Sequence, residues 1–242
     1  MSQSKRIWGW FFYDWACQPF YTLMLTFFFA PYFATVAADY FVASGMEIEA
    51  SKARAQTMWS ICLSASGLFI GISAPILGAI ADTSGRRMPW IYVFSVMLIV
   101  GALGTWVGVP DGSNLTLMLY FFALGYIGTE FALIFTNAQL TTLGNQNEIG
   151  KISGSGFGFG YLGGVFALAI ALLFLVEQPN GTTFMLGIEP LFGFLNPENM
   201  EGTRFVGPLA AIWFFIFAIP YFKNIKDDPA LLNKINVGKG LK

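Results

Sequence analysis

The chain has no histidine. Zinc-hydrolase motifs, Ser-His dyads and haem ligation by histidine are excluded together, because each needs an imidazole. Cysteine is nearly absent as well. Cys17 and Cys62 each lie inside an apolar run, where a thiol serves as a small hydrophobe. Charge is just as scarce: 11% of residues, against about 25% in a soluble domain. With 55% hydrophobic residues and a mean hydropathy of +0.61, too little polar surface exists to cover a water-facing globule. Lipid must be the solvent for much of the chain. A net charge of −1 lacks the basic footprint that nucleic acid requires. Lys5 and Arg6 are not followed by a short apolar run with a cleavage site, so the first apolar stretch reads as a retained helix.

What the chain does have is long apolar runs. A spanning helix needs about 20 mainly apolar residues. Six candidates run over Trp10–Ala34, Met58–Ala81, Trp90–Val109, Leu115–Gln139, Gly156–Val176 and Phe205–Phe222. Helix is the form expected, since lipid offers no partner for free backbone groups. Two connections are long, Ala38–Thr57 and Glu177–Arg204, the second carrying three prolines and four glutamates. The expected organisation is a bundle over residues 1–222 and a polar, basic tail over 223–242, with a turn signal at Asp227-Asp228-Pro229.

Orientation follows from lysine and arginine. With the N-terminus inside, ten of the thirteen fall on the inner side, among them Lys5, Arg6, Arg86, Arg87, Lys151 and Lys223. Lys52, Arg54 and Arg204 fall outside. Both ends are therefore expected in the cytoplasm, with a bacterial inner membrane as the default location. Asn114-Leu-Thr and Asn180-Gly-Thr match the glycosylation pattern on outer loops, a match that arises easily by chance.

Glycines recur every four residues: Gly156, Gly160 and Gly164 in the fifth run, Gly67 and Gly71 in the second, Gly104 and Gly108 in the third. Small residues at this spacing let helix backbones approach closely. Two carboxylates stand where apolar residues belong. Asp14 lies in the first helix, with Gln18 and Tyr21 at i+4 and i+7. Glu130 lies near the middle of the fourth, with Tyr126 four before and Asn137 seven after. Ionisable groups at membrane depth are costly and generally functional. A carboxyl in apolar surroundings is also the kind of group that carries a proton for coupling.

The loop after the second run reads Gly78-Ala-Ile-Ala-Asp82-Thr-Ser-Gly85-Arg86-Arg87. A carboxylate at a helix end, a glycine turn and two arginines form a corner that can hold one conformation and release another. Asp82 is placed to reach Arg86 or a helix N-terminus.

This loop resembles that between the second and third helices of the major facilitator superfamily. Gly78, Asp82, Gly85, Arg86 and Arg87 match; Ile80 replaces a leucine and Thr83 a basic residue. Phe12-Tyr13-Asp14-Trp15, Asn137-Ala138-Gln139-Leu140, and Gly150-Lys151-Ile152-Ser153-Gly154 running into Gly160-Tyr161-Leu162-Gly163-Gly164 resemble one branch. That branch comprises the vacuolar amino-acid effluxers linked to autophagy and their bacterial relatives. The resemblance implies an all-α membrane fold of six helices in a 3+3 inverted repeat, half of a twelve-helix transporter with solute held between the halves. It implies Asp14, Gln18, Tyr126, Glu130 and Asn137 along the solute or proton pathway. Gly78, Asp82, Gly85, Arg86 and Arg87 would form an inner gate. Gly156, Gly160 and Gly164 would pack helices. Small-solute transport, with amino-acid efflux the best-known activity, and a second six-helix half (fused, separate, or a second copy) are the corresponding expectations.

No metal, cofactor or catalytic residue is expected. Aspartyl intramembrane proteases pair a Tyr-Asp with Gly-x-Gly-Asp; Tyr13-Asp14 is present and the second motif is not. The alternative to transport is a scaffold or assembly factor on the same fold, since fold does not fix function.

Overall fold

A computed structural model describes residues 2–227. Six helices are long and apolar enough to cross a membrane: α1 (Gln3–Ala43), α2 (Ile48–Thr83), α3 (Met88–Val107), α4 (Leu115–Thr142), α5 (Gln146–Phe174) and α6 (Glu201–Asn224). No strand occurs among the described residues. The all-helical six-span architecture is the one the apolar runs dictate.

The helices run past their apolar stretches, because backbone bonding continues where the side chains turn polar. The expected long connection Ala38–Thr57 is mostly helix; Ala43 and Ile48 are separated only by a turn. Gly45 (φ 92°) allows that turn, and the Glu47 side chain caps α2 by accepting from the Ala50 N–H at 3.0 Å. Likewise α5 starts ten residues before Gly156, at a capping box formed by Asn145 and Glu148. Beyond Asp227, the expected tail lies outside the described residues.

α1 is not uniform. It is α-helical over Gln3–Pro19, π-helical over Phe20–Phe27, then α-helical again over Phe29–Ala43. Pro19 has no N–H for the Trp15 carbonyl. The Trp213 indole N–H of α6 takes that carbonyl instead, at 3.2 Å. In the π stretch the Phe28 N–H reaches back five residues to the Leu23 carbonyl at 3.0 Å.

Glycine sets the tightest seams. A Cβ on Gly101 of α3 would lie 2.1 Å from the Gly125 nitrogen of α4, so these two helices meet backbone to backbone. On α5, a Cβ on Gly156 would strike Trp10, on Gly160 Asp14, on Gly163 Trp15 and on Gly164 Thr22. The α1–α5 seam is thus a ladder of α1 side chains set into α5 glycines. Gly67, Gly71 and Gly78 of α2 differ: apart from their own stretch of helix, no described atom lies within 4 Å of where a Cβ would stand. Only 6% of the apolar window of α2 is buried, against 50% for α6.

Two ends can be distinguished. At one, the start of α1, the α2–α3 turn, the α4–α5 turn and the end of α6 converge; Arg6 donates to the Thr142 hydroxyl at 2.9 Å. At the other, the buried Arg204 donates to the Trp106 carbonyl at 2.7 Å and its guanidinium lies over the Trp106 ring.

Candidate functional site

Seven residues separate Asp14 from Tyr21, which would place both on one stripe of a regular helix. The two side chains nevertheless meet different neighbours, α5 for Asp14 and α4 for Tyr21. Asp14 and Gln18 are buried toward α5, with the Gln18 amide donating to Asp14 Oδ1 at 3.4 Å. Asp14 Oδ2 sits against Gly160 with no hydrogen-bond partner among the described residues. Tyr21 turns instead to α4, and its hydroxyl donates to Glu130 Oε1 at 2.9 Å.

Glu130 and Tyr126 are half-buried on α4, one turn apart. The Tyr126 ring lies parallel to Phe122, which is itself buried against Phe20, Phe29 and Trp59. An aromatic wall from three helices therefore backs the Tyr21–Glu130 pair. Asn137 is exposed, near the Arg87 end. Of the polar residues expected along a pathway, the structure brings Asp14 to Gln18 and sets Glu130 one turn from Tyr126. It does not join the two pairs by a direct bond. Cys17, on the same stretch of α1, is fully buried.

The turn after α2 is built around Gly85, whose φ of 65° favours a residue without a Cβ. The turn sets Arg87 beside Asp82. Arg87 Nη2 and Nε donate to Asp82 Oδ1 at 2.7 and 3.1 Å, and Arg87 Nη1 donates to the Ala138 carbonyl at 2.8 Å. Arg87 thus ties the α2–α3 turn to the end of α4. Thr83, where the family pattern has a basic residue, turns its hydroxyl onto the Ala79 and Ile80 carbonyls. Arg86 is exposed.

Three further contacts hold this end together, and the motifs do not give their partners. Asp227 Oδ1 accepts from the Arg87 and Met88 N–H groups at 2.8 and 3.0 Å, capping α3 from the segment after α6. The buried Tyr221 hydroxyl donates to Gln139 Oε1, linking α6 to α4. The Tyr13 hydroxyl and Ser95 Oγ lie 2.8 Å apart, linking α1 to α3. Tyr13 and Tyr221 carry one sequence signal: a buried tyrosine hydroxyl needs a partner. Asp227 carries only a turn signal, which says nothing of a partner helix 139 residues away.

No group of three or more His, Cys, Asp or Glu side chains that could hold a metal occurs among the described residues.

The chain is 25% identical over 224 residues to YxiO of Bacillus subtilis (strain 168), an uncharacterized MFS-type transporter. The alignment covers 92% of this chain and 47% of that protein, so the chain spans about half the length of the curated relative it matches. No family model matches the chain, and no solved structure matches it.

Proposed function

We propose that this chain is a six-helix half of a secondary transporter of the major facilitator superfamily. It moves a small solute across a membrane by alternating access against a second six-helix bundle. The alignment carries this reading: nearly all of the chain matches about half of a relative described as an MFS-type transporter. The six apolar spans and the Tyr21–Glu130 pair between α1 and α4 support it. In this reading the first and fourth helices line the solute cavity. Glu130 and Tyr126 face the pathway with Asn137 nearer the Arg87 end, and Asp14 with Gln18 forms a second polar pair behind them. Glu130 is the group proposed to carry a proton for coupling.

The end of α2 with Gly78 and Asp82, and the turn after it with Gly85, Arg86 and Arg87, form the inner gate. Arg87 is its central group, because it holds Asp82 and α4 together. The gate end is cytoplasmic, in keeping with the lysine and arginine bias. Amino acids, moved outward, are the first solutes to test, on the resemblance to the vacuolar effluxer branch.

The test is flux in sealed vesicles holding this bundle with a second six-helix half, using a panel of labelled amino acids and an imposed pH gradient. Wild type is expected to carry at least one amino acid and to respond to the gradient; Glu130→Gln is expected to lose the response. An unchanged response in Glu130→Gln removes Glu130 from coupling. A stable complex with no flux of any solute favours the scaffold reading.

A further inference from the structure

The connection between α5 and α6 carries an apolar surface that the bundle does not use. Phe184, Met185 and Leu186 are exposed, as are Phe192 and Phe194, which are 71% and 83% exposed. They sit on two turns. One is closed by the Thr183 N–H to the Ile188 carbonyl at 2.7 Å and by the Gly187 N–H to the Thr183 carbonyl at 3.0 Å. The other runs from Pro190 to Leu195 and holds Leu191 and Phe192 at φ of 48° and 59°. Bulky residues rarely adopt that left-handed conformation. Here it brings the Phe192 ring to 5.8 Å from Phe174, at the end of α5.

The depth of these turns follows from their bonds to α5. The Met185 N–H donates to the Leu172 carbonyl at 3.1 Å and the Phe184 N–H to the Val176 carbonyl at 3.2 Å. Between Lys151 and Glu177 the sequence carries no charge. A hydrocarbon core of ~30 Å takes up about 20 residues of helix, so a core centred on that run ends near Phe174, between the Leu172 and Val176 carbonyls that hold the loop. The loop therefore folds back to the bilayer boundary instead of standing in water above it. Further down α5, Val165 and Phe166 are also uncovered, as expected of side chains that face lipid. Glu189, Glu198 and Asn196 are exposed on the same loop, supplying the polar side that an element lying at an interface needs.

We propose that this loop is an interfacial anchor, with Phe184, Met185, Leu186, Phe192 and Phe194 seated in the boundary between lipid headgroups and acyl chains. The occupant of the patch is the bilayer in which the bundle sits. The anchor fixes the height of the Arg204 ends of α5 and α6 in the membrane, whatever the bundle transports. Aromatic side chains collect at this level in membrane proteins.

The test is the lipid exposure of a nitroxide label in the whole chain reconstituted into phosphatidylcholine vesicles. Cys17 and Cys62 are replaced by alanine, and a single cysteine is placed by Phe194→Cys, by Met185→Cys or, as a water-facing reference, by Glu198→Cys. Labels at 194 and 185 are expected to relax more with oxygen, which partitions into lipid, than with a water-soluble nickel chelate; the label at 198 is expected to show the reverse order. Strong relaxation by the nickel chelate at both 194 and 185 places the patch in water and overturns the proposal. Protection from both relaxants places it under protein, whether a second bundle or a partner, and also overturns it.

Discussion

The Tyr21 hydroxyl donates to Glu130 Oε1 at 2.9 Å, joining the π-helical stretch of α1 to the middle of α4. Removing one member of a half-buried hydrogen bond costs about 1 to 3 kcal/mol, because the other member is left without a partner. Tyr21→Phe is therefore expected to destabilise the bundle by that amount. Glu130→Gln keeps an oxygen for the tyrosine to donate to and is expected to cost less. A double-mutant cycle on thermal unfolding in detergent measures the pair directly. Coupling above about 0.5 kcal/mol is expected for residues in contact, and strict additivity would argue against the bond.

A Cβ on Gly160 would stand 1.8 Å from Asp14 Oδ2, closer than any real contact allows. Gly160→Ala must push Asp14 aside or spread α1 from α5. Overpacking of this kind costs typically about 1–3 kcal/mol. Asp14→Ala removes the obstructing atoms, so the double variant is expected to recover a large part of the loss. Thermal stability of the two single variants and the double variant decides the point. If the double variant is no better than Gly160→Ala, something other than Asp14 occupies the space.

The contrast between these two sites marks what the sequence could convey. The six spans were legible because each is a continuous apolar run, and the glycines of α5 because their spacing repeats. The splitting of Asp14 from Tyr21 was not legible. Counting i, i+4 and i+7 places residues on one stripe but does not say which neighbouring helix each side chain meets, Gly160 of α5 for Asp14 and Glu130 of α4 for Tyr21. The true ends of the helices were hidden for a related reason. Hydropathy registers lipid contact, whereas backbone bonding continues through Glu49, Ser51 and Lys52, which are polar but helical. The loop motif located Asp82 and Arg87 but not the Ala138 carbonyl or Asp227, since those partners are set by packing between distant segments.

Asp82 and Arg87 form an ion pair at 2.7 Å whose carboxylate side chain is 61% exposed. Exposed pairs contribute about 0–1 kcal/mol, because water and salt compete for both partners. Asp82→Asn is accordingly expected to leave unfolding within about 1 kcal/mol of wild type. The same change is expected to impair solute flux in vesicles carrying normal amounts of protein. Wild-type flux in Asp82→Asn would argue against the gate role, and a large loss of stability would mean that the pair is structural.

Glu177 gives a pH-dependent prediction at the opposite end. Burial pushes its carboxyl above the ordinary glutamate range; the Thr203 N–H donating to Oε2 at 3.0 Å and the charge of Arg204 pull the other way and are outweighed. A carboxyl raised in the folded state contributes stability that is full below its unfolded value, about 4.3, and is lost as pH rises through its folded value. Unfolding of the wild type is therefore expected to shift to lower temperature as pH climbs through that window. Glu177→Gln retains an oxygen for Thr203 and cannot ionise, so its curve should be flatter over the same range. The difference in melting temperature between the two proteins, followed against pH, is the measurement. A wild type that gains on Glu177→Gln with rising pH would mean that pairing with Arg204 outweighs burial, reversing the sign.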